Sequence, residues 1–263
     1  MKEVVIIDDL NYKDILKSIN LSAKKNEILT ISGSNKCGKT TLLKILYGLI
    51  KTNNSILIND KYIEEYNVKV LSDLIGYVTY RNNYIFKYDT VEDELTYLLD
   101  FTDLDTKSKN KRYKEIIKLF KLTKYEKLNP KELYRNLQLK LELAKEIILP
   151  KEILLLDDIC LNMTKEETKE ILNILKELKK ETTIIMSTMN LEEALESDYI
   201  YILSDGKIVL EGTKEEVLVK DNVLNKLGLE LPFMIDLSVK LKDYDLIDNI
   251  ELDMDRMVDI LWK

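Results

Sequence analysis

One octet restricts the possible folds of this chain more than any other segment. It spans residues 33–40, and its sequence is Gly33-Ser34-Asn35-Lys36-Cys37-Gly38-Lys39-Thr40. This is the G-x-x-x-x-G-K-T pattern of a phosphate-binding loop. The apolar residues 28–32 before it predict a buried strand, and residues 41–47 after it predict a helix. Between such elements, backbone N–H groups of the loop and of the helix N-terminus bind phosphate oxygens.

The same pattern assigns roles to two side chains and predicts a second carboxylate site. Lys39 would contact the β- and γ-phosphates of a nucleotide, and the Thr40 hydroxyl would bind Mg²⁺. Asp157 follows the apolar residues 153–156, so we expect it to end a strand beside the loop strand and to bind the same Mg²⁺. Asp158 would then polarise the attacking water. The alternative is that these are merely two acids at a strand end, but the loop and the intervening helices favour the Mg²⁺ site.

Composition excludes several classes of protein. The chain has 263 residues, 45% of them hydrophobic, which is enough for a sizeable core. Histidine is absent from the sequence, which excludes Ser–His nucleophiles, histidine metal sites and proton transfer by imidazole. The formal net charge is −7 and no basic block occurs, so nucleic acid is not an expected partner.

The sequence also predicts a cytoplasmic protein. No apolar stretch approaches the ~18 residues that a membrane span requires. The N-terminal residues mix charges into their apolar run and lack the pattern of a signal peptide. Two cysteines, Cys37 and Cys160, are too few for a disulfide framework or a metal cluster.

Strands that alternate with helices predict a largely parallel sheet with helical crossovers. Antiparallel pieces at the start of the chain and at residues 199–210 are expected to form a side sheet. Residues 90–149 are predicted to be helical, with a break near Asn129-Pro130. Two further helix starts carry the capping-box pattern, Thr164 with Glu167 and Asn190 with Glu193.

From about Val4 to Val219 the chain resembles the ATP-binding subunits of ABC transporters. The phosphate loop, the Asp157 strand and the hairpin sequence at 204–212 occur in the order typical of that family. Tyr12 resembles the family's aromatic residue that stacks on adenine; the alternative is a strand-end tyrosine at a sheet edge. Residues 227–237 include a Gly-Leu-x-x-Pro-Phe string that resembles a segment of the ATPases of energy-coupling factor (ECF) transporters. The alternative for this segment is that it simply packs on the domain.

The resemblance implies an α/β fold, namely a P-loop NTPase of the ABC ATPase type. It would have an antiparallel β side sheet, a helical subdomain and a small C-terminal helical appendage. Residues 1–220 would form the nucleotide-binding domain, with the helical subdomain at about 90–149, and residues 221–263 would form the appendage.

The cofactors implied are ATP and Mg²⁺, with Thr40 and Asp157 as metal ligands and Asp158 as the catalytic residue. The cofactor-binding residues implied are Tyr12, Gly33, Ser34, Asn35, Lys36, Cys37, Gly38, Lys39, Thr40 and Thr41.

The partners implied are a second ABC ATPase subunit in a heterodimer, a transmembrane coupling protein and a substrate-binding membrane protein. Such an assembly places the chain at the cytoplasmic face of the cell membrane, where it would couple nucleotide binding to uptake of a vitamin or a trace metal. Residues 90–94 resemble the family's segment after its conserved glutamine, which suggests that the membrane component docks near residues 80–94. The acids Glu92 and Asp93 would meet basic side chains there, or they are simply the acidic first turn of a helix.

The chain departs from the family where the γ-phosphate is sensed or attacked. The family's glutamine, catalytic glutamate and switch histidine are replaced by Tyr80, Asp158 and Met189. The carboxylate of an aspartate lies ~1 Å further back than that of a glutamate, a misplacement that costs on the order of 10²-fold in rate. The LSGGQ signature is replaced by residues 133–137, which bring side chains to a place where bare backbone approaches phosphate. Arg135 in this stretch would replace the lost contacts as a cation for phosphate, or it is a solvated arginine on a helix.

Two functional classes therefore remain. In the first, the chain is a working ATPase whose missing groups are replaced by local equivalents. In the second, it binds ATP but is the catalytically weak half of a heterodimer. A third interpretation, a soluble P-loop kinase, does not explain the hairpin sequence at 204–212 or the Pro232-Phe233 segment.

Overall fold

The computed structural model describes residues 2–52, 55–80, 84–251 and 254–262. These residues contain ten strands: β1 (Glu3–Tyr12), β2 (Leu16–Lys24), β3 (Ile28–Ser32), β4 (Ile56–Ile58), β5 (Lys61–Tyr62), β6 (Ile75–Thr79), β7 (Ile153–Asp157), β8 (Thr183–Thr188), β9 (Tyr199–Ser204) and β10 (Lys207–Gly212). They also contain eleven α-helices: α1 (Lys39–Leu46), α2 (Val68–Leu74), α3 (Val91–Leu99), α4 (Thr106–Leu119), α5 (Arg135–Ile148), α6 (Lys165–Leu178), α7 (Leu191–Ala194), α8 (Lys214–Leu218), α9 (Asp221–Lys226), α10 (Phe233–Asp243) and α11 (Met254–Leu261).

The larger sheet has six strands in the order β10-β9-β3-β8-β7-β6. The five strands from β9 to β6 are parallel, and β10 pairs with β9 in the antiparallel direction. Alternate residues of β7 enter two different apolar clusters: Leu154 and Leu156 pack with α5 and α6, whereas Ile153 and Leu155 pack with α1. The sheet is therefore covered on both faces, which explains why its central strands are apolar throughout. The predicted α/β fold class is confirmed.

The smaller sheet is antiparallel, with the order β2-β1-β4-β5. The expectation of a side sheet built from the start of the chain is confirmed, but the placement of residues 199–210 in it was wrong. β9 instead pairs in parallel with β3, from Leu29 opposite Tyr199 to Ser32 opposite Ile202. The physical reason is burial: residues 200–203 are all buried, as suits a strand inside the main sheet rather than one in a half-exposed side sheet.

The sequence analysis expected the strand that carries Asp157 to lie beside the loop strand, and this expectation was wrong. β8 separates the two, and it pairs in parallel with both of them. The register sets Ser32 opposite Thr188 and Asp157 opposite Ser187, so the carboxyl ends of all three strands meet at one edge. This edge of the sheet holds the candidate site, in the position usual for parallel α/β sheets.

The helical segment follows the sequence pattern, including its break. Residues 130–132 form a single 3₁₀ turn, and the Asn129 side chain accepts a hydrogen bond from the Lys131 N–H at its start. The capping box of α6 is present, since Thr164 and Glu167 each accept a bond from the other's backbone N–H.

The expected capping box at Asn190 was wrong. The Asn190 side chain accepts from the N–H of Glu192, and Glu193 is turned into the protein, where it is buried.

The last helices pack on the main sheet rather than standing apart from it. Leu224, Leu229 and Ile235 belong to one apolar cluster with Leu191 of α7 and Ile200 of β9. Burial of such side chains contributes roughly 1.5–3 kcal/mol each, so this cluster fixes the segment to the sheet.

The β9–β10 turn offers a test of how the two sheets are joined. Gly206 has a φ of 77°, and a Cβ atom there would lie 2.2 Å from the carbonyl oxygen of Ile15, between β1 and β2. Gly228 has a similar φ of 71° but no heavy atom within 4 Å of such a Cβ. We expect Gly228→Ala to cost about 1–2 kcal/mol from the left-handed backbone alone. Gly206→Ala should cost a further ~1–3 kcal/mol because the turn must move away from Ile15.

Urea unfolding of the two variants measures this difference directly. Equal urea midpoints for Gly206→Ala and Gly228→Ala would show that a methyl group at position 206 causes no clash with Ile15 of the smaller sheet.

Candidate nucleotide-binding site

The phosphate-binding loop lies between β3 and α1, and its two glycines pack against neighbouring backbone. A Cβ atom at Gly33 would lie 2.1 Å from the carbonyl oxygen of Leu203 in β9. Gly38 precedes the first residue of α1 with a φ of 117°, and a Cβ atom there would lie 2.7 Å from a methyl carbon of Leu16. Space therefore requires glycine at position 33, whereas at position 38 the left-handed backbone does so, because a leucine methyl group can move aside.

The remaining loop residues differ in backbone conformation and in exposure. Lys36 adopts a left-handed φ of 67° at a position where the family usually has glycine, a conformation that costs roughly 1–2 kcal/mol. Asn35 and Lys36 are exposed, whereas Cys37 is buried, and burial raises the pKa of its thiol. Gly38, at the N-cap of α1, has no side chain to cap the helix, and the first N–H groups of a helix, here near Thr41, are a favourable place for an anion.

The Lys39 ammonium lies inside the loop. Its Nζ donates to the carbonyl oxygen of Gly33 at 2.6 Å and to that of Ser34 at 3.1 Å. The residue is 5% exposed, so its charge is held where phosphates bound by the loop would meet it. Burying an ammonium is costly unless it is hydrogen-bonded, and the two carbonyls supply those bonds.

Thr40 and Asp157 meet, as the sequence predicts for two ligands of one metal. The Thr40 hydroxyl donates to Oδ1 of Asp157 at 3.0 Å, and the Ser187 hydroxyl donates to the same oxygen at 2.7 Å. Asp157 is 1% exposed, so these bonds stabilise a carboxylate that would otherwise be unfavourable in the interior.

Tyr77 is a member of this cluster that the sequence analysis missed. Its hydroxyl donates to Oδ2 of Asp157 at 3.2 Å. Burial raises the pKa of the Tyr77 phenol, and the charge of Asp157 adds to the rise, so the group keeps its proton and remains a donor. The alternation of side chains along a strand is the signal that indicates this tyrosine. Tyr77 and Thr79 share a face of β6, and Thr79 lies opposite Asp157 in the parallel register.

The residues present fit a Mg²⁺ ion bound together with a nucleotide. A hydroxyl and a carboxylate are hard oxygen ligands, and Mg²⁺ in such sites takes one or two protein ligands with phosphates and waters completing its shell. Among the described residues no group of three or more His, Cys, Asp or Glu side chains forms a metal cluster.

Asp158 lies next to Asp157 on a strained backbone. It has a φ of 50°, is 8% exposed, and its N–H donates to both the hydroxyl and the carbonyl of Ser187. The strand-end bonds thus fix the residue, while its short side chain limits how far its carboxylate extends.

A second carboxylate, Glu193, faces the same place and was also missed. It is 5% exposed and hydrogen-bonded to Thr188; burial raises the pKa of its carboxyl to about 7, and the charge of Asp158 adds to the rise. Met189, at the switch position, is 38% exposed and brings no polar group to this end of β8. The false capping-box pattern at Asn190 concealed Glu193, because an acid three residues after a cap is usually solvated.

The residue at the family's glutamine position, Tyr80, contacts the signature-like stretch. Nη2 of Arg135 donates to the Tyr80 carbonyl oxygen, and the guanidinium carbon lies 5.0 Å from the Tyr80 ring centre and 4.0 Å from that of Tyr84. Arginine over aromatic faces gains ~0.5–2 kcal/mol per contact, depending on desolvation. The interpretation of Arg135 as a solvated side chain was wrong, since it is half-buried between two tyrosines.

The rest of residues 133–137 also contact their own chain. Asn136 donates to Oε1 of Glu167 at 2.5 Å and accepts from the N–H of Leu137, which ties the start of α5 to α6. Tyr134, by contrast, is 82% exposed. The structure therefore brings Lys39, Thr40 and Asp157 together at one site, whereas Arg135 and Asn136 lie on a separate contact.

Tyr12 ends β1 and is half-buried, with the Lys13 Nζ 5.3 Å from its ring centre. In the described residues β4 pairs with Val5 to Ile7 of β1, whereas Tyr12 pairs with β2, which fits the alternative of a strand-end tyrosine at a sheet edge. Tyr12 pairs with Leu16, whose methyl group touches the Gly38 position, which puts Tyr12 on the side of the phosphate loop.

Comparison with known proteins identifies relatives along the whole chain. One is the energy-coupling factor transporter ATP-binding protein EcfA of Enterococcus faecium, 26% identical over all of this chain and 98% of the relative. Another is EcfA1 of Streptococcus pneumoniae serotype 2, 28% identical over all of this chain and 99% of the relative.

Among solved structures, CbiO1 of Clostridium perfringens, part of the ABC transporter complex CbiONQ, has the same fold. The TM-score is 0.78 at 24% identity, over 88% of this chain and 97% of that one. The sequence model of the family described as ABC transporter matches residues 16–160, which is more than half of the chain. The resemblance inferred from the motifs is thus confirmed, and the chain belongs to the ABC transporter family.

Proposed function

We propose that this chain is the ATP-binding subunit of an ECF-type ABC importer. The observation that carries the proposal is the arrangement of Lys39, Thr40 and Asp157, with an ammonium inside the phosphate loop and a hydroxyl 3.0 Å from a buried carboxylate. Phosphate charge needs such a cation, and Mg²⁺ needs such oxygen ligands. The names of the EcfA relatives support the same assignment.

Each part of the site has a role in binding Mg²⁺–ATP. The loop N–H groups and Lys39 hold the phosphates, Thr40 and Asp157 hold the metal, and Tyr12 stacks on adenine. Bound Mg²⁺ neutralises phosphate charge and orients the triphosphate. The other loop residues between Gly33 and Thr41 act mainly through their backbone.

The proposal includes membrane partners. The chain works at the cytoplasmic face of the membrane with a transmembrane coupling protein and a substrate-binding membrane protein, which take up a vitamin or a trace metal. Among the described residues no helix is both long and apolar enough to cross a membrane. A surface for the partner is available near α3, where Tyr97 packs on Tyr88 and Phe101, and Ile85 and Phe101 are 74% and 71% exposed.

This surface differs from the acidic docking site that the sequence suggested. Glu92 pairs with Lys127, and Asp93 accepts a bond from the Thr90 hydroxyl at 2.6 Å while its N–H bonds to the same oxygen. The two acids lie in the first turn of α3, and their bonds within the chain favour the alternative left open above. Residues 81–83 of the expected docking segment lie outside the described residues.

A second candidate function is a catalytically weak partner in a heterodimer, and a specific observation favours it. Arg135, in the place of a signature glycine, is bound within its own chain to Tyr80 and Tyr84. Both the signature position and the glutamine position are thus occupied by a contact that has no counterpart in the family pattern. Asp158 and Met189 add a short carboxylate and a side chain without a hydrogen-bond donor.

The division into domains is part of the same proposal. Residues 1–220 form the nucleotide-binding domain, with a helical subdomain at about 90–149, and residues 221–263 form an appendage. Leu224 and Ile235 share an apolar cluster with residues of β9, which supports an appendage that packs on the nucleotide-binding domain and is not joined to it by the chain alone.

Removal of the Lys39 ammonium tests nucleotide binding. We expect Lys39→Ala to weaken Mg²⁺–ATP affinity by 10²-fold or more, because a charge-assisted contact of roughly 1.5–3 kcal/mol is lost together with the order of the loop. Calorimetry of the full chain measures it. Lys36→Ala is the matched control, because it removes an exposed ammonium from the same loop. Equal affinities in wild type and Lys39→Ala would contradict the assignment of the loop.

Hydrolysis by the isolated chain is expected to be very slow. The triple variant Tyr80→Gln, Asp158→Glu, Met189→His should raise turnover, and by more than the single variants suggest, because catalytic groups act as a unit. Phosphate release under saturating ATP is the measurement, with Lys39→Ala in the triple background as the control. Fast turnover by the unmodified chain would show that the replaced residues are working equivalents.

The proposed partner is a different ATPase. ATP-dependent association should be seen with a co-purifying ABC ATPase that retains LSGGQ, glutamine, glutamate and histidine at the four altered positions, and not with a second copy of this chain. Light scattering with ATP and Mg²⁺ distinguishes the two cases. A stable, ATP-dependent homodimer that hydrolyses ATP would exclude the weak-partner function.

A further inference from the structure

The edge strand β6 of the main sheet reaches the candidate Mg²⁺ site through the side chain of Tyr77 and not through that of Tyr80. Tyr80 follows this strand at the position of the family's glutamine, but its ring lies against Arg135. Three residues earlier, the Tyr77 hydroxyl lies 3.2 Å from Oδ2 of Asp157. Tyr77 therefore makes a side-chain bond from β6 to this carboxylate.

The two oxygens of Asp157 have different neighbours. Oδ1 accepts from the Thr40 and Ser187 hydroxyls, at 3.0 and 2.7 Å, which tie it to α1 and β8. Oδ2 accepts from Tyr77. A carboxylate offers about four lone-pair positions, so Tyr77 leaves room for a metal or its waters while it fixes the rotation of the group. Without the phenol, the described bonds hold the carboxylate by one oxygen only.

The Tyr77 ring is itself held in place. Tyr47 stacks on it with ring centres 5.2 Å apart and an angle of 25° between the planes. Tyr47 is the residue at which α1 ends, and Thr40 lies in the first turn of the same helix. One helix thus presents a metal ligand at its start and supports, at its end, the tyrosine that fixes the other ligand.

We propose that Tyr77 is a positioning residue for Mg²⁺, which holds Oδ2 of Asp157 in the orientation that the metal or a metal-bound water requires. This inference rests on the proposed function, because it concerns the same nucleotide site. Partners that orient a ligating carboxylate change metal affinity by about 10–100-fold when they are removed. A tyrosine that only fills space would leave the metal affinity unchanged on loss of its hydroxyl.

The experiment uses the full chain and a fluorescent ATP analogue, whose binding is titrated with Mg²⁺. We expect Tyr77→Phe to raise the Mg²⁺ concentration at half-saturation about 10-fold and to leave binding in EDTA unchanged. Tyr47→Phe is the matched control, since it removes the phenol oxygen of the stacked ring and not one that contacts Asp157. This control should keep the wild-type midpoint.

A double-mutant cycle separates positioning from general packing. In an Asp157→Asn background, Tyr77→Phe should have no further effect on the Mg²⁺ midpoint, because its target is gone. An unchanged midpoint in Tyr77→Phe, or an equal loss of binding with Mg²⁺ and in EDTA, would overturn the inference and leave the proposed function intact. No binding of the analogue by the unmodified chain at any Mg²⁺ concentration would overturn the proposed function itself.

Discussion

The hydrogen bond between Thr40 and Asp157 depends on nearly every long-range feature of the fold. The two residues are 117 positions apart and lie on α1 and β7, which are separated in the sheet by β8. Their contact requires the order β3-β8-β7, a parallel register that ends the strands together, and a glycine at 38 that starts α1 close to the sheet. Because Asp157 is buried, a slip in any of these would leave a carboxylate without its donors, at a cost of ~1–3 kcal/mol or more.

The proposed phosphate and metal ligands are held by other contacts than the side chains of Tyr80 and Arg135. Lys39, Thr40 and Asp157 are anchored by the sheet and by α1, so their positions do not depend on the helical segment. Tyr80 and Arg135 lie where that segment meets the sheet, and their contact joins the start of α5 to the end of β6. A site of this construction can retain nucleotide affinity while its chemistry weakens, since binding energy that is equal in the ground and transition states does not accelerate a reaction.

The sequence predicted the fold class and the residues at the centre of the candidate site because both have local signals. A glycine pattern between a strand and a helix, or an apolar run that ends in an acid, is visible within a dozen residues. The contacts that were missed have no such signal: Tyr77 meets Asp157 across 80 positions, and the Arg135 contact spans 55 positions to Tyr80. The hairpin at 199–210 was assigned to the wrong sheet because its two strands form a local antiparallel pair, whereas its partner β3 lies far away in sequence.

The altered residues would act on two different sites if the two chains of the proposed heterodimer pair head to tail, so that each nucleotide lies between the phosphate loop of one chain and the signature of the other. Tyr80, Asp158 and Met189 belong to the site built on this chain's own phosphate loop, which the partner's signature would cover. Residues 133–137 would instead cover the partner's nucleotide. With Arg135 turned back onto its own tyrosines and Tyr134 82% exposed, this chain presents a large aromatic side chain there in place of small residues and bare backbone. The partner's site would therefore keep its own chemical groups but close over the nucleotide differently, so neither site of such a pair would match the family pattern in full.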